Sequence, residues 1–108
     1  MLWPVRELGK DQLRELIAEA TVDAYGEEEQ RSGFVMMLQE HLELPFEATV
    51  LGVKVKVESV TETENSIVAD CVRGIHHQAI AIEDLPLPDP APEGAEWIAA
   101  YRRWGGRR

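Results

Sequence analysis

Pro45 divides this chain into two hydrophobic periodicities, and that switch limits the possible folds more than any other feature. Before it, apolar residues recur at helical spacing. From Asp11, which reads as an N-cap with Glu15 shortly after it, Leu13, Leu16, Ile17, Ala20 and Tyr25 recur along one run, and Gly26 interrupts it. A second amphipathic stretch puts Phe34, Met37, Leu38, His41 and Leu42 on one stripe. It stops before Leu44-Pro45, because the residue preceding a proline is pushed out of helical geometry. After Pro45 the period becomes two. Val53, Val55 and Val57 alternate with Lys54, Lys56 and Glu58, the pattern of a half-buried antiparallel strand. Further strands are expected near 46–51, over 67–72 and over 78–82, with turns at Gly52, Thr63–Ser66 and Gly74. Short β-branched strands joined by short polar turns favour a small antiparallel barrel of the SH3-like kind, or a strongly curled sheet, of four or five strands between about Phe46 and Leu85.

Residues 85–92 hold four of the six prolines and read as a semi-rigid connector. Beyond them Trp97, Ile98, Tyr101 and Trp104 return to helical spacing. That segment carries three of the seven aromatic side chains, too much apolar surface for a domain of 108 residues to leave in water. The expected architecture is therefore α+β in one domain: two N-terminal helices, the β unit and a C-terminal helix over 93–104. Residues 1–10 are an N-terminal arm, and 105–108 a flexible basic tail in which Arg107 and Arg108 stay mobile.

Twenty acids against eleven Lys and Arg give a net charge of -9 and a pI near 4.7, which disfavours nucleic acid and an anionic membrane surface as partners. Cations and basic surfaces are favoured instead. A hydrophobic fraction of 44% is too high for a disordered acidic tail. The lone Cys71 forms neither an internal disulfide nor a thiolate zinc site, and no leader-like segment or apolar run near 20 residues is present. A cytoplasmic location without membrane contact is the expectation.

Enzymatic chemistry finds little support. Ser32, Ser59 and Ser66 lack a nucleophile-elbow context, and Cys71 reads as a buried inert thiol within a strand. His76 and His77 are adjacent, so in extended chain they face opposite ways and cannot grip one metal; they read as turn residues. His41 reads as packing near a helix end, and Gly105-Gly106 as a flexible tail rather than a phosphate loop. The chain is expected not to be an enzyme.

The carboxylates carry more information. Residues 11–29 contain seven acids and a single base, Arg14. Asp11, Glu15, Glu19, Asp23 and Glu27 fall every four residues, which on one continuous helix makes a ridge whose like-charged pairs cost about 0.2–0.5 kcal/mol each. Either the ridge is a solvated face screened by salt, or divalent cations sit against part of it, as the oxygen preference of Ca2+ allows. The density peaks where Glu27, Glu28 and Glu29 follow Asp23. The segment Asp23–Glu27 does not fit the loop of an EF-hand.

Three segments taken together, Thr21–Gln30 (TVDAYGEEEQ), Leu44–Ala48 (LPFEA) and Trp97–Trp104 (WIAAYRRW), resemble the small bacterial calcium-binding proteins of the CcbP type. The resemblance covers most of the chain. It implies a compact acidic protein without EF-hands, with helices packed on a small β-barrel. It also implies Asp23, Glu27, Glu28 and Glu29 as calcium-contacting residues; the crowding of like charges adds Asp11, Glu15 and Glu19 as a supporting field. Calcium buffering or sensing is the function expected on these grounds, and an acidic interaction module docking a basic protein partner is the alternative.

Overall fold

The computed structural model describes residues 8–105. Its elements follow the order α1 (Lys10–Ala20), α2 (Glu27–His41), β1 (Phe46–Val50), β2 (Val53–Glu62), β3 (Ile67–Arg73), β4 (His76–Ala81), a single 3-10 turn (Ile82–Asp84) and α3 (Glu96–Gly105). The fold is α+β, as the change of period at Pro45 indicates. Most of the N-terminal arm and all but Gly105 of the basic tail lie outside the described residues. Gly105 itself ends α3.

The four strands form one antiparallel meander in the order β1-β2-β3-β4. Phe46 pairs with Val57, Val50 with Val53, Lys56 with Val72, and Arg73 with His76. Glu58 is extra between the pairs Val57–Cys71 and Ser59–Asp70, so β2 bulges there. Here the barrel expectation is corrected. The sheet is open, with β1 and β4 as its edges, and an SH3-like closure is not formed. The reason lies in β4, where four of six residues are exposed; such a strand has no second apolar face to fold onto β1. The helices close the core instead. His76 and His77, expected in a turn, open β4, and Ile82 belongs to the 3-10 turn rather than to the strand.

Ala48, Val57, Val60, Ile67, Ala69 and Cys71 supply the sheet side of the core. Ile17, Ala20, Phe34, Val35 and Leu38 face them from α1 and α2, and Trp97, Ile98, Ala100, Tyr101 and Trp104 from α3. The C-terminal helix is thus central to the core, as its aromatic content required. Phe34 lies at the middle of an aromatic cluster, with ring centroids 5.5 Å from Tyr101 and 5.4 Å from Trp104. The His41 ring, at the end of α2, stacks on Trp97 at 5.7 Å. The proline-rich connector is held by Arg102, whose Nη2 donates to the Leu85 carbonyl at 2.7 Å.

Two glycines let backbones approach where no side chain fits. A Cβ on Gly33 would overlap the Ala20 carbonyl oxygen, so α2 lies directly on the end of α1. Gly94, at φ +88, faces the His41 carbonyl just as closely. Alanine in place of glycine within a helix ordinarily stabilises by about 1 kcal/mol. At position 33 the sign reverses, and Gly33→Ala is expected to destabilise by about 1–3 kcal/mol as the α1–α2 packing gives way. Urea denaturation of the two proteins checks this; a more stable variant would show that the helices are not in contact there.

Candidate metal centre

The helical run expected from Asp11 to an interruption at Gly26 already ends after Ala20. Thr21 caps α1, its backbone N–H and hydroxyl both donating to the Ile17 carbonyl at 3.0 and 2.7 Å. Asp23 adopts φ 59, in the left-handed region, and Gly26 is the N-cap of α2. Asp, with a short side chain able to bond its own backbone, accepts that conformation better than most residues. The five-carboxylate ridge is therefore not one ridge. The start of α1 also differs from expectation: Gly9 is the N-cap, its N–H donating to Gln12 Oε1 at 2.6 Å, and Asp11 lies in the first turn with Arg14 at 3.6 Å.

What the break creates is a cleft of about 690 Å³ between the end of α1 and the first two turns of α2. Glu19, Asp23, Glu27, Glu28 and Glu29 line it together with Ser32, over an apolar floor that includes Val22, Met36 and Met37. All four sequence-identified candidates are there, and Glu19 joins them. Asp11 and Glu15 do not; they border a separate shallow hollow with Gly9, Lys10 and Gln12. Sequence reasoning missed Ser32 and the apolar floor. Ser32 stands four residues after Glu28, one helical turn on, and that spacing is the signal that could have found it.

The electrostatics favour a cation. The C-terminal end of α1 has no basic residue in its last turn, and its partial negative charge offsets the partial positive N-terminus of α2, which leaves the carboxylates to set the sign. Arg31, the cation nearest to the three glutamates in sequence, is turned away. Its buried guanidinium donates from Nη2 to the Glu64 carbonyl at 2.8 Å and lies 3.7 Å through Nε from Glu62, which also accepts from the Ser32 hydroxyl at 2.8 Å. The three glutamates have a role that requires no metal, since acids in a first helical turn stabilise it by about 0.3–1 kcal/mol each.

Every donor in the cleft is an oxygen, which suits a hard cation such as Ca2+ and not zinc. Among the described residues no three His, Cys, Asp or Glu side chains converge into a ready-made metal cluster. The carboxylates share a cleft and keep their exposure. On β3, Cys71 is the buried thiol expected. Burial pushes its ionisation up, with the Asp70 carboxylate adding to the effect, so it is a poor nucleophile.

Residues 14–105 match the family model Calci_bind_CcbP, described as calcium binding. The chain belongs to that family. Two solved structures share the fold of this CcbP-family chain. The crystal structure of Anabaena CcbP is 21% identical and superposes with a TM-score of 0.69 over 91% of this chain and 93% of that one. A calcium binding protein in the calcium-binding form is 18% identical, with a TM-score of 0.73 over 98% and 97%. None of the curated proteins matches the CcbP-family chain in sequence.

Proposed function

We propose that the protein binds Ca2+ in the cleft between α1 and α2, with Asp23, Glu27, Glu28 and Glu29 as the carboxylate ligands and Glu19 beside them. The observation that carries this reading is the gathering of five carboxylates at the break between the helices, in a chain of a calcium-binding family. Flexible glutamates on an exposed first turn reach a common ion by side-chain rotation, and Ca2+ tolerates irregular oxygen cages. Mg2+, which demands a tight octahedron and gives up water reluctantly, competes poorly. The second turn of α2 is pinned by Arg31 and by Gln30, which accepts from Trp104 Nε1 at 2.8 Å. Binding therefore orders the turn without opening the core, which suits a buffer more than a sensor.

The apolar floor favours a second reading. Val22 and Met36 are 67% and 58% exposed within the acidic cleft, and a basic, partly apolar segment of a partner protein would find both charge and hydrophobic complement there. Thermal unfolding separates the two. At a hundredfold excess over the dissociation constant, Ca2+ is expected to add about 2.7 kcal/mol of stability, or roughly 10–20 °C in Tm for a domain of this size. The double variant Asp23→Asn/Glu29→Gln should fold as the wild type does, since Asn also tolerates positive φ, and lose the calcium shift. An intact protein whose Tm ignores millimolar calcium would leave the docking reading in its place.

A further inference from the structure

Both hairpin turns, Leu51-Gly52 and Gly74-Ile75, emerge at the same end of the sheet, because β1 and β3 run towards that end and β2 and β4 away from it. The hairpin axes are two strand spacings apart, about 10 Å. Each turn carries one large apolar side chain almost wholly in water: Leu51 is 98% exposed and Ile75 is 89% exposed. Leu51 also has φ 50, a conformation that leucine adopts at a cost and that Gly or Asn would take more easily. Neither burial nor backbone preference accounts for leucine there.

The charges at this end are the reverse of the molecule's. Residues 50–57 and 71–82 contain Lys54, Lys56, Arg73, His76 and His77 and no acid. Register places Lys54, Lys56 and His77 on one face of the sheet, with Arg73 and His76 on the other. Glu47 stands opposite Lys56, and Asp70 approaches His77 Nδ1 at 3.0 Å. Lys54 and Arg73 are therefore the cations that dominate the tips. Net charge argues against an anionic surface only for a uniformly charged body, and here the carboxylates of the cleft lie in the helices.

We propose that this end of the sheet docks on an anionic lipid bilayer, Leu51 and Ile75 entering the interfacial layer while Lys54 and Arg73 meet the headgroups. The register carries the Leu51-Gly52 turn about two residues farther out than Gly74-Ile75, and two apolar tips at one end with flanking cations fit a negatively charged, deformable surface; partition follows the apolar area inserted plus the attraction of anionic lipid. The proposal does not depend on calcium binding. Cosedimentation with phosphatidylcholine vesicles, with and without phosphatidylserine and in the presence of a chelator, tests it. Binding is expected to the anionic vesicles alone and to weaken with salt. Leu51→Asn/Ile75→Ser is expected to reduce it about tenfold or more, and Lys54→Glu/Arg73→Glu likewise, with melting curves that do not fall because all four side chains are exposed. No binding to anionic vesicles, equal binding to neutral ones, or binding indifferent to both variants would overturn the proposal. So would capture by poly-glutamate without vesicle binding, which assigns the tips to an acidic protein instead.

Discussion

Deleting residues 95–108 is expected to abolish cooperative folding. Trp97, Ile98, Ala100, Tyr101 and Trp104 are all buried on α3, and the aromatic members each remove about 150–250 Å² from water. At roughly 25 cal/mol per Å² each aromatic represents about 4–6 kcal/mol of transfer free energy, while a domain of this size is stable by only about 5–15 kcal/mol in total. The deletion also uncovers Phe34, Leu38 and Ile17, and it removes the Arg102 bond that holds the connector at Leu85. Far-ultraviolet circular dichroism with a thermal scan checks the result. A truncated chain that melts cooperatively near the wild-type temperature would show that α3 is an appendage.

Phe34→Ala is expected to cost about 3–5 kcal/mol, the range for emptying a fully buried aromatic site. Phe34 has no exposed surface and joins α2 to α3 through its contacts with Tyr101 and Trp104. Both neighbours are large rings held by their own packing, so the void cannot collapse. Phe34→Leu keeps much of the volume and is expected to cost far less, under about 1.5 kcal/mol. Urea midpoints for the pair give the answer, and equal midpoints would remove Phe34 from the centre of the core.

The elements that the sequence makes legible are those whose burial is decided locally. The alternation of Val53, Val55 and Val57 implies a strand with one buried face, and the stripe from Trp97 to Trp104 implies a docked helix. Closure of the sheet is not a local property. It depends on whether β1 and β4 each have a second partner, and the mostly exposed residues of β4 show that they do not. The carboxylate spacing misled in a related way. A spacing of four is a ridge only while the helix continues, and α1 ends at Ala20, where Gly33, thirteen positions along the chain, packs against its last carbonyl. Asp23, Glu27, Glu28 and Glu29 nevertheless line one cleft, because the chain turns between α1 and α2. Arg31 was illegible for another reason: an arginine in an acidic amphipathic helix reads as a surface residue, and its burial requires the Glu62 and Glu64 partners that the distant β2–β3 turn brings.

Calorimetric titration of chelator-stripped protein with Ca2+, with Mg2+ as the control, tests the central claim most directly. Saturable calcium heat that is much weaker with Mg2+, and that disappears in Asp23→Asn/Glu29→Gln, is the predicted result. Absence of calcium heat at millimolar concentration, or heat unchanged in that double variant, would contradict the assignment of the cleft between α1 and α2 as the calcium site.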